Sequence, residues 1–419
     1  MRFDIKYPSF EIGIGAKMKS ALFDKKTVDI IKKRVVTAFV WVTSAAVIGL
    51  LCGAIGAAFA KSIGFVTYLR ESNPFLIWLL PVGGLASAAI YKLTKTEGIG
   101  TDRVLESERG EAKVPLVLLP VIFAASCITH LFGGSAGKEG AALQLGAAIA
   151  RIVSRFSKMD SRVLTACGMA GLFSAVFGTP VGACVFAAEV AIVSRVSVRS
   201  ILPAFTSSIV AHIVSVALGV APERFVIGLV PDFGVSVLCR VLAVSAVVGF
   251  VSFVFCNLLH GGEHLFQKIF KNPFLRIAVG GCVIVALTLV FGTDYNGGGM
   301  TVIERIFDEY YVRPEAFALK MLFTVITVAA GYKGGEIVPS FFIGASLGAV
   351  LSPIIGLPVG FGAALGMTAF FSGVTNCKLA AAVMSVELFG EKGFVFFFAA
   401  SLVAKAVSGK ISLYHKQIV

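Results

Sequence analysis

Apolar residues in this chain run in long, nearly unbroken stretches, at residues 35–60, 75–91, 114–132, 201–220, 235–259, 277–291 and 394–407. Each can cross all or most of a hydrocarbon core, so the pattern predicts membrane helices and not the half-polar stripes of a soluble fold. Between them lie shorter apolar segments broken by glycine and carrying ionisable side chains. The breaks recur: a shift of 198 positions lays GMAGLFSAVFGTPVGACVFAAE, at 168–189, over GMTAFFSGVTNCKLAAAVMSVE, at 366–387. The same offset pairs Gly137 with Gly335, Gly146 with Gly344, Gly100 with Gly298 and Glu106 with Glu304 without a gap. The repeat covers at least 98–189 and 296–387, and it predicts one transmembrane domain, 35–419, built of two halves at about 35–200 and 235–407.

Composition narrows the class. With 57% hydrophobic and 15% charged residues among 419, a soluble globule would lack the polar residues to cover itself. Residues 1–34 are charged and lack the apolar run of a secretory signal, which predicts a cytoplasmic N-terminal segment. No soluble regulatory domain is expected after the last span. The net charge of +13 sits beside apolar spans and forms no separate basic, aromatic-bearing domain, so it reads as membrane orientation and not as a nucleic-acid surface. The eight cysteines, among them Cys52, Cys184, Cys256 and Cys282, include no CxxC pair and read as small membrane-core residues.

Charge also separates the halves. RIVSRFSKMDSR, at 151–162, carries four basic residues, whereas its repeat partner at 349–360 carries no charge. DRVLESERGEAK, near residue 103, has three basic residues, whereas its counterpart TVIERIFDEYYV has one basic and three acidic. Opposite bias in equivalent loops is what the positive-inside rule gives for inverted-topology repeats. The fold class is thus all-α, with two inverted helical repeats whose broken helices meet near the midplane.

The glycine-rich breaks carry the candidate chemistry. GGSAGKEGAALQLGAAIA, from Gly133, and GYKGGEIVPSFFIGASLGAV, from Gly331, each read as a turn followed by a helix of about four turns that begins inside the membrane. Irregular backbone at that depth persists only where protein or a water-filled cavity satisfies it, so the turns should line a site. Helix N-termini offer unpaired N–H groups and partial positive charge, and two converging ends would hold an anion without a full cation. GIGTDRV at Gly98 and NGGGMTV at Asn296 supply a third and fourth end. Glu139, at the mouth of such a site, would compete with the anion as a carboxylate and vacate the site when protonated, which makes it a proton-linked gate.

These residues resemble the CLC family of chloride channels and anion/proton exchangers, over nearly the whole membrane domain. GKEGA, at 137–141, is similar to that family's GREGP, which implies Glu139 as the external gating glutamate and places Gly137, Lys138, Gly140 and Ala141 at the anion. GEIVP, at 335–339, is similar to its GxFxP and implies Gly335 and the amides of Ile337 and Val338. GIGTD sits where the family has GSGIP, implying Gly98, Ile99, Gly100 and Thr101, and SLYHKQ resembles the segment of the internal tyrosine, here Tyr414. The resemblance also implies a homodimer with one pore per subunit, halide and protons as the transported ions, and no organic cofactor or metal.

There are departures as well. The serine hydroxyl of GSGIP is replaced by Ile99, and the inner proton-relay glutamate of many exchangers is Val190. HLFGGSAGKEG and GYKGGEIVP look closer to the bacterial fluoride-exporting branch, which also lacks that glutamate, although the threonine of its GEVTP is Val338. Chloride or fluoride, and proton-coupled exchange or a passive channel, therefore both stay open, and the branch suggests a bacterial inner membrane. Glu336 is a candidate substitute proton acceptor, the alternative being a pair with Lys333. Lys138 would attract anions at the outer mouth or sit solvated. Glu189 and Glu387, repeat partners, are expected to cap or pair structurally. Lys378, opposite Pro180 in the repeat, is expected to snorkel or pair, and His130 to hydrogen-bond the Gly133 loop. No GxSxG-like turn with an acid partner supports a hydrolase built on His130 and Ser135. An enzyme is not expected.

Overall fold

The structure, a computed structural model, describes residues 25–157, 159–192 and 198–418. It divides into a unit of residues 1–43, which holds the start of the first helix, and a unit of residues 44–419, which holds both cavities and the residues that line them. Most of the expected cytoplasmic segment, 1–24, lies outside the described residues.

The first half runs α1 (Lys25–Ser72), a 3-10 turn (Pro74–Leu79), α2 (Leu80–Leu93), α3 (Thr101–Glu108), α4 (Leu118–Leu131), α5 (Glu139–Val153), α6 (Ser161–Phe177), α7 (Pro180–Glu189) and α8 (Val198–Ala217). The second runs α9 (Val235–Ile269), α10 (Pro273–Phe291), α11 (Met300–Glu309), α12 (Ala316–Ala330), α13 (Ile337–Ile354), α14 (Val359–Thr375), α15 (Lys378–Phe389) and α16 (Phe394–Ser408). The sequence offset reappears in the helix starts: 337 minus 139, 359 minus 161 and 378 minus 180 are each 198. Even the stops match. Gly178 ends α6 in the left-handed region at φ +75°, and its counterpart Asn376 ends α14 at φ +62°, asparagine being the residue that best tolerates that conformation after glycine.

Gly137 and Gly335, repeat equivalents, form an antiparallel bridge with each other. A residue paired with its own counterpart, with the two chains passing in opposite directions, is the signature of an inverted repeat about a pseudo-twofold axis.

Hydropathy separates an outer layer from an inner one. Among the described residues, six helical stretches are long and apolar enough to cross a membrane, and five of them, such as 235–269, are only 28–39% buried within the protein over their most apolar stretch. The sixth, α13, is 78% buried, as expected of a helix apolar all round that packs inside the domain. Helices α4 and α16, expected from their apolar runs to cross all or most of the membrane, have 14 and 15 residues. At ~1.5 Å per residue they fall short of a ~30 Å hydrocarbon core, because turns at either end interrupt them. Helices α6 and α14 lie at the centre, where Phe173, Phe177, Phe186, Phe341 and Phe371 interlock with ring centroids 4.9–5.9 Å apart. Cysteine placement is mixed: Cys52, Cys184 and Cys256 are buried as expected, whereas Cys282 faces outward.

Candidate functional site

Two cavities approach each other at the Gly137–Gly335 bridge. One, of about 580 Å³, is lined by Gly137, Lys138, Glu139 and Val338 together with Arg70, His130, Asn296 and Arg305. The other, of about 510 Å³, is lined by Gly98, Ile99, Gly100, Thr101, Glu336 and Tyr414 together with Gln144, Glu263, Lys333 and His415. Ile99 also borders a pocket rich in Arg103, Lys113, Arg151 and Arg155, so the second cavity opens on the basic face, which the positive-inside rule assigns to the cytoplasm. These are the outer and inner cavities, respectively.

The partition between them is made of glycine because nothing larger fits. The Gly137 N–H donates to the Gly335 carbonyl at 2.6 Å and the Gly335 N–H to the Gly137 carbonyl at 2.7 Å. A Cβ on Gly335 would lie 2.3 Å from the Gly140 nitrogen, and one on Gly140 would lie 2.9 Å from the Gly334 carbonyl oxygen. Gly137 and Gly335, expected at the anion, thus spend their amides on each other. Gly140, Ala141, Gly335 and Ile337 line neither cavity and lie in the packed junction. Their repeat position was legible, but their role is to bring the two helix ends together.

Glu139 lies where the two broken helices begin. It is fully buried at the first position of α5, and its Oε1 accepts the Lys138 N–H at 3.0 Å while its Oε2 accepts the Val338 N–H at 3.2 Å. The carboxylate therefore rests on amides from both broken helices, one from each repeat, and closes the outer cavity at its floor. Backbone N–H groups at converging helix starts, facing no carbonyl of their own, are donors that either this carboxylate or a halide can satisfy.

On the inner side, Gly98 has φ +73° and Gly100 is the N-cap of α3. The Ile99 N–H donates to the Thr96 carbonyl at 3.1 Å, so this amide closes the turn and does not face an anion. Tyr414 is buried at 6% exposure and lines this cavity. Glu336 faces this cavity. It makes no ion pair with Lys333, whose Nζ lies 4.7 Å over the Tyr91 ring.

The remaining charged residues are placed by partners distant in sequence. Lys138 is neither free nor solvated: its Nζ pairs with Glu223 at 3.1 Å and sits 5.7 Å over the Phe177 ring. The His130 ring bonds the Ser126 carbonyl of its own helix at 2.8 Å, not the Gly133 loop, whose Gly133 carbonyl instead accepts from Asn296 at 2.8 Å. Glu189 accepts the Leu379 and Ala380 N–H groups at 3.3 and 2.9 Å, and Glu387 accepts those of Val181 and Gly182 at 2.9 and 2.7 Å. Each carboxylate caps the helix that carries the other, the structural role their symmetry suggested. Lys378 opens α15 and is partly exposed.

Sequence reasoning missed Lys320. It is fully buried on α12 and donates to the Tyr295 and Gly297 carbonyls at 3.0 and 2.7 Å, fixing the Asn296 turn. A lone lysine inside AFALKMLFTVITVAA was the available signal, since a cation in an apolar span always has a reason to be there.

Known proteins resemble this chain in sequence and fold. A family model described as "Voltage gated chloride channel" matches residues 82–409. The chain is 34% identical over 389 residues to a "Chloride/fluoride channel protein" of Pseudomonas syringae pv. tomato, covering 90% of this chain and 86% of that protein. It is 26% identical over 383 residues to the "H(+)/Cl(-) exchange transporter ClcA" of Salmonella newport, covering 82% of this chain and 80% of that protein. The crystal structure of a CLC-type fluoride/proton antiporter superposes with a TM-score of 0.87 at 32% identity, covering 91% of this chain and 98% of that one. That of a slow cyanobacterial Cl-/H+ antiporter, at 18% identity and a TM-score of 0.77, covers 88% of this chain and 94% of that one and shares the fold.

Proposed function

The chain belongs to the voltage-gated chloride channel (CLC) family, and from that premise we propose that it exchanges a halide for protons across a bacterial inner membrane, with Glu139 as the gate. The observation that carries this reading is the Glu139 carboxylate seated on the amides of Lys138 and Val338. As a carboxylate it fills the anion's place. Once protonated it loses its charge and the stronger of its hydrogen bonds, leaves the amides to a halide, and carries a proton as it moves. One group thus serves both ions, which is the physical basis of exchange.

Glu336 takes the part of inner proton acceptor in this scheme, and Tyr414 offers its hydroxyl to the halide in the inner cavity. Fluoride is the favoured substrate, because the Pseudomonas relative at 34% identity and the superposed antiporter at 32% both carry fluoride in their names. A small ion also suits a site built chiefly from backbone amides. The working unit is a homodimer with one path in each subunit.

The test is flux from proteoliposomes, with fluoride and chloride followed by separate electrodes while internal pH is recorded. Wild type should move protons uphill when a halide gradient is imposed, with fluoride faster than chloride, and Glu139→Gln should abolish the proton movement. Halide flux without uphill proton movement would make the protein a channel. Absence of both fluxes would remove the halide assignment.

A further inference from the structure

Protons exchanged at Glu139 must also enter or leave through the inner cavity, and Val190 provides no acceptor there. The inner cavity holds one imidazole, that of His415, next to Tyr414. Its Nδ1 lies 3.5 Å from Asp102 Oδ2 and its Nε2 lies 3.8 Å from Glu263 Oε2. The ring also stacks on His260 with centroids 3.9 Å apart. Three separate elements, α3, α9 and the C-terminal segment, thus converge on one titratable ring. The backbone holds the arrangement, since Asp102 Oδ1 accepts the Lys416 N–H at 3.1 Å.

Two features separate this cluster from a structural clamp. Both ring-to-carboxylate distances exceed the ~2.7–3.2 Å of a good N–H···O bond, so neither carboxylate locks a ring nitrogen in a tight hydrogen bond. The side chains of His415, Asp102 and Glu263 are 47%, 33% and 32% exposed, and they open on the cavity. A clamp would be tighter and drier.

We propose that His415 is the inner proton-entry residue of the exchange cycle, and this rests on the exchange reading above. A ring nitrogen of neutral His415 takes a proton from cavity water to give the imidazolium. That proton then passes through water to the Glu336 carboxylate, leaving the neutral acid and neutral imidazole, and from Glu336 it goes on to Glu139. Only protons move in these steps.

The charges facing His415 suit this role. Contact with Asp102 is the largest influence and raises its proton affinity above that of a free histidine. Partial burial opposes this, and the charges of Glu263 and Glu336 add to it. His260 lies on the opposing side, and Lys333, Arg276 and Lys271 line the same cavity farther round. Lys416, next in the chain, has its Nζ 3.9 Å from Glu106. A histidine so placed holds its proton to higher pH than a free imidazole, which suits a group that both takes up and passes on protons.

The experiment compares wild type, His415→Gln and Glu263→Gln, full-length in proteoliposomes. Halide flux and halide-driven proton uptake are measured against internal pH, with and without imidazole inside. In His415→Gln the ratio of protons to halides should fall about a hundredfold, the span of a typical acid–base group, and internal imidazole should restore part of it. Glu263→Gln keeps the ring but removes a neighbouring negative charge, so the midpoint of proton uptake should move to lower pH. An unchanged ratio in His415→Gln, or a loss that imidazole does not relieve combined with an unmoved midpoint in Glu263→Gln, overturns the proposal. Wild type that moves no protons uphill overturns the exchange reading itself.

Discussion

The two glycine turns at the centre of the protein are repeat equivalents that place their carboxylates one position apart. In the first, Lys138 is followed by Glu139; in the second, at the equivalent positions, Glu336 is followed by Ile337. Both turns open a helix and both contribute a glycine to the mutual bridge. Yet Glu139, at the first helical position, folds onto amides at the floor of the outer cavity, whereas Glu336, one position earlier, faces the inner cavity. A shift of one residue at a helix start swings a side chain by ~100° around the axis, and across a pseudo-twofold that is enough to assign two acids to opposite sides of one barrier. The lesson is that internal symmetry supplies the framework and a one-residue departure from it supplies direction.

Variants can break this comparison in graded ways. The largest effect, after loss of Glu139, is expected from Glu336→Gln. It should cut halide-driven proton movement by about a hundredfold at preserved fold, measured by internal pH in proteoliposomes. Coupled transport that persists in Glu336→Gln would remove the inner acid from the scheme. Next, Lys320→Met tests the support of the Asn296 turn, which the first half lacks because Ile122 stands at the position equivalent to Lys320. Two buried carbonyls would lose their donor at about 1–3 kcal/mol each, offset in part by relief of a buried charge. Thermal unfolding in detergent should show a lowered midpoint. The smallest effect belongs to the symmetric pair: Glu189→Ala and Glu387→Ala should each destabilise by about 1–2 kcal/mol and by similar amounts, because each removes an equivalent cap. Unequal losses in denaturation would show that the capping symmetry is geometric only.

Much of this was legible in one dimension. The offset of 198 located the starts of α13, α14 and α15 from those of α5, α6 and α7, and the coincidence of Glu189 with Glu387 signalled a structural pair before either partner was known. Other features were hidden. Lys138 looked like an open cation because Glu223 lies 85 positions away, and the Ile99 amide looked available because nothing in GIGTD announces its bond to Thr96. The glycines of GKEG and KGGEI signalled close backbone approach, and the approach the structure shows is of one turn to the other.

By itself the sequence determined that this protein lives in a membrane, that it is two inverted halves, and where its helices break, because hydropathy, repeat register and loop charge are properties of position along the chain. The tertiary structure decided which amides remain free for an anion, which carboxylate faces which cavity, and that His415 meets Asp102 and Glu263. Those outcomes depend on hydrogen bonds and contacts between groups up to 314 residues apart, such as Asp102 and Lys416, and the linear order of residues carries no record of them.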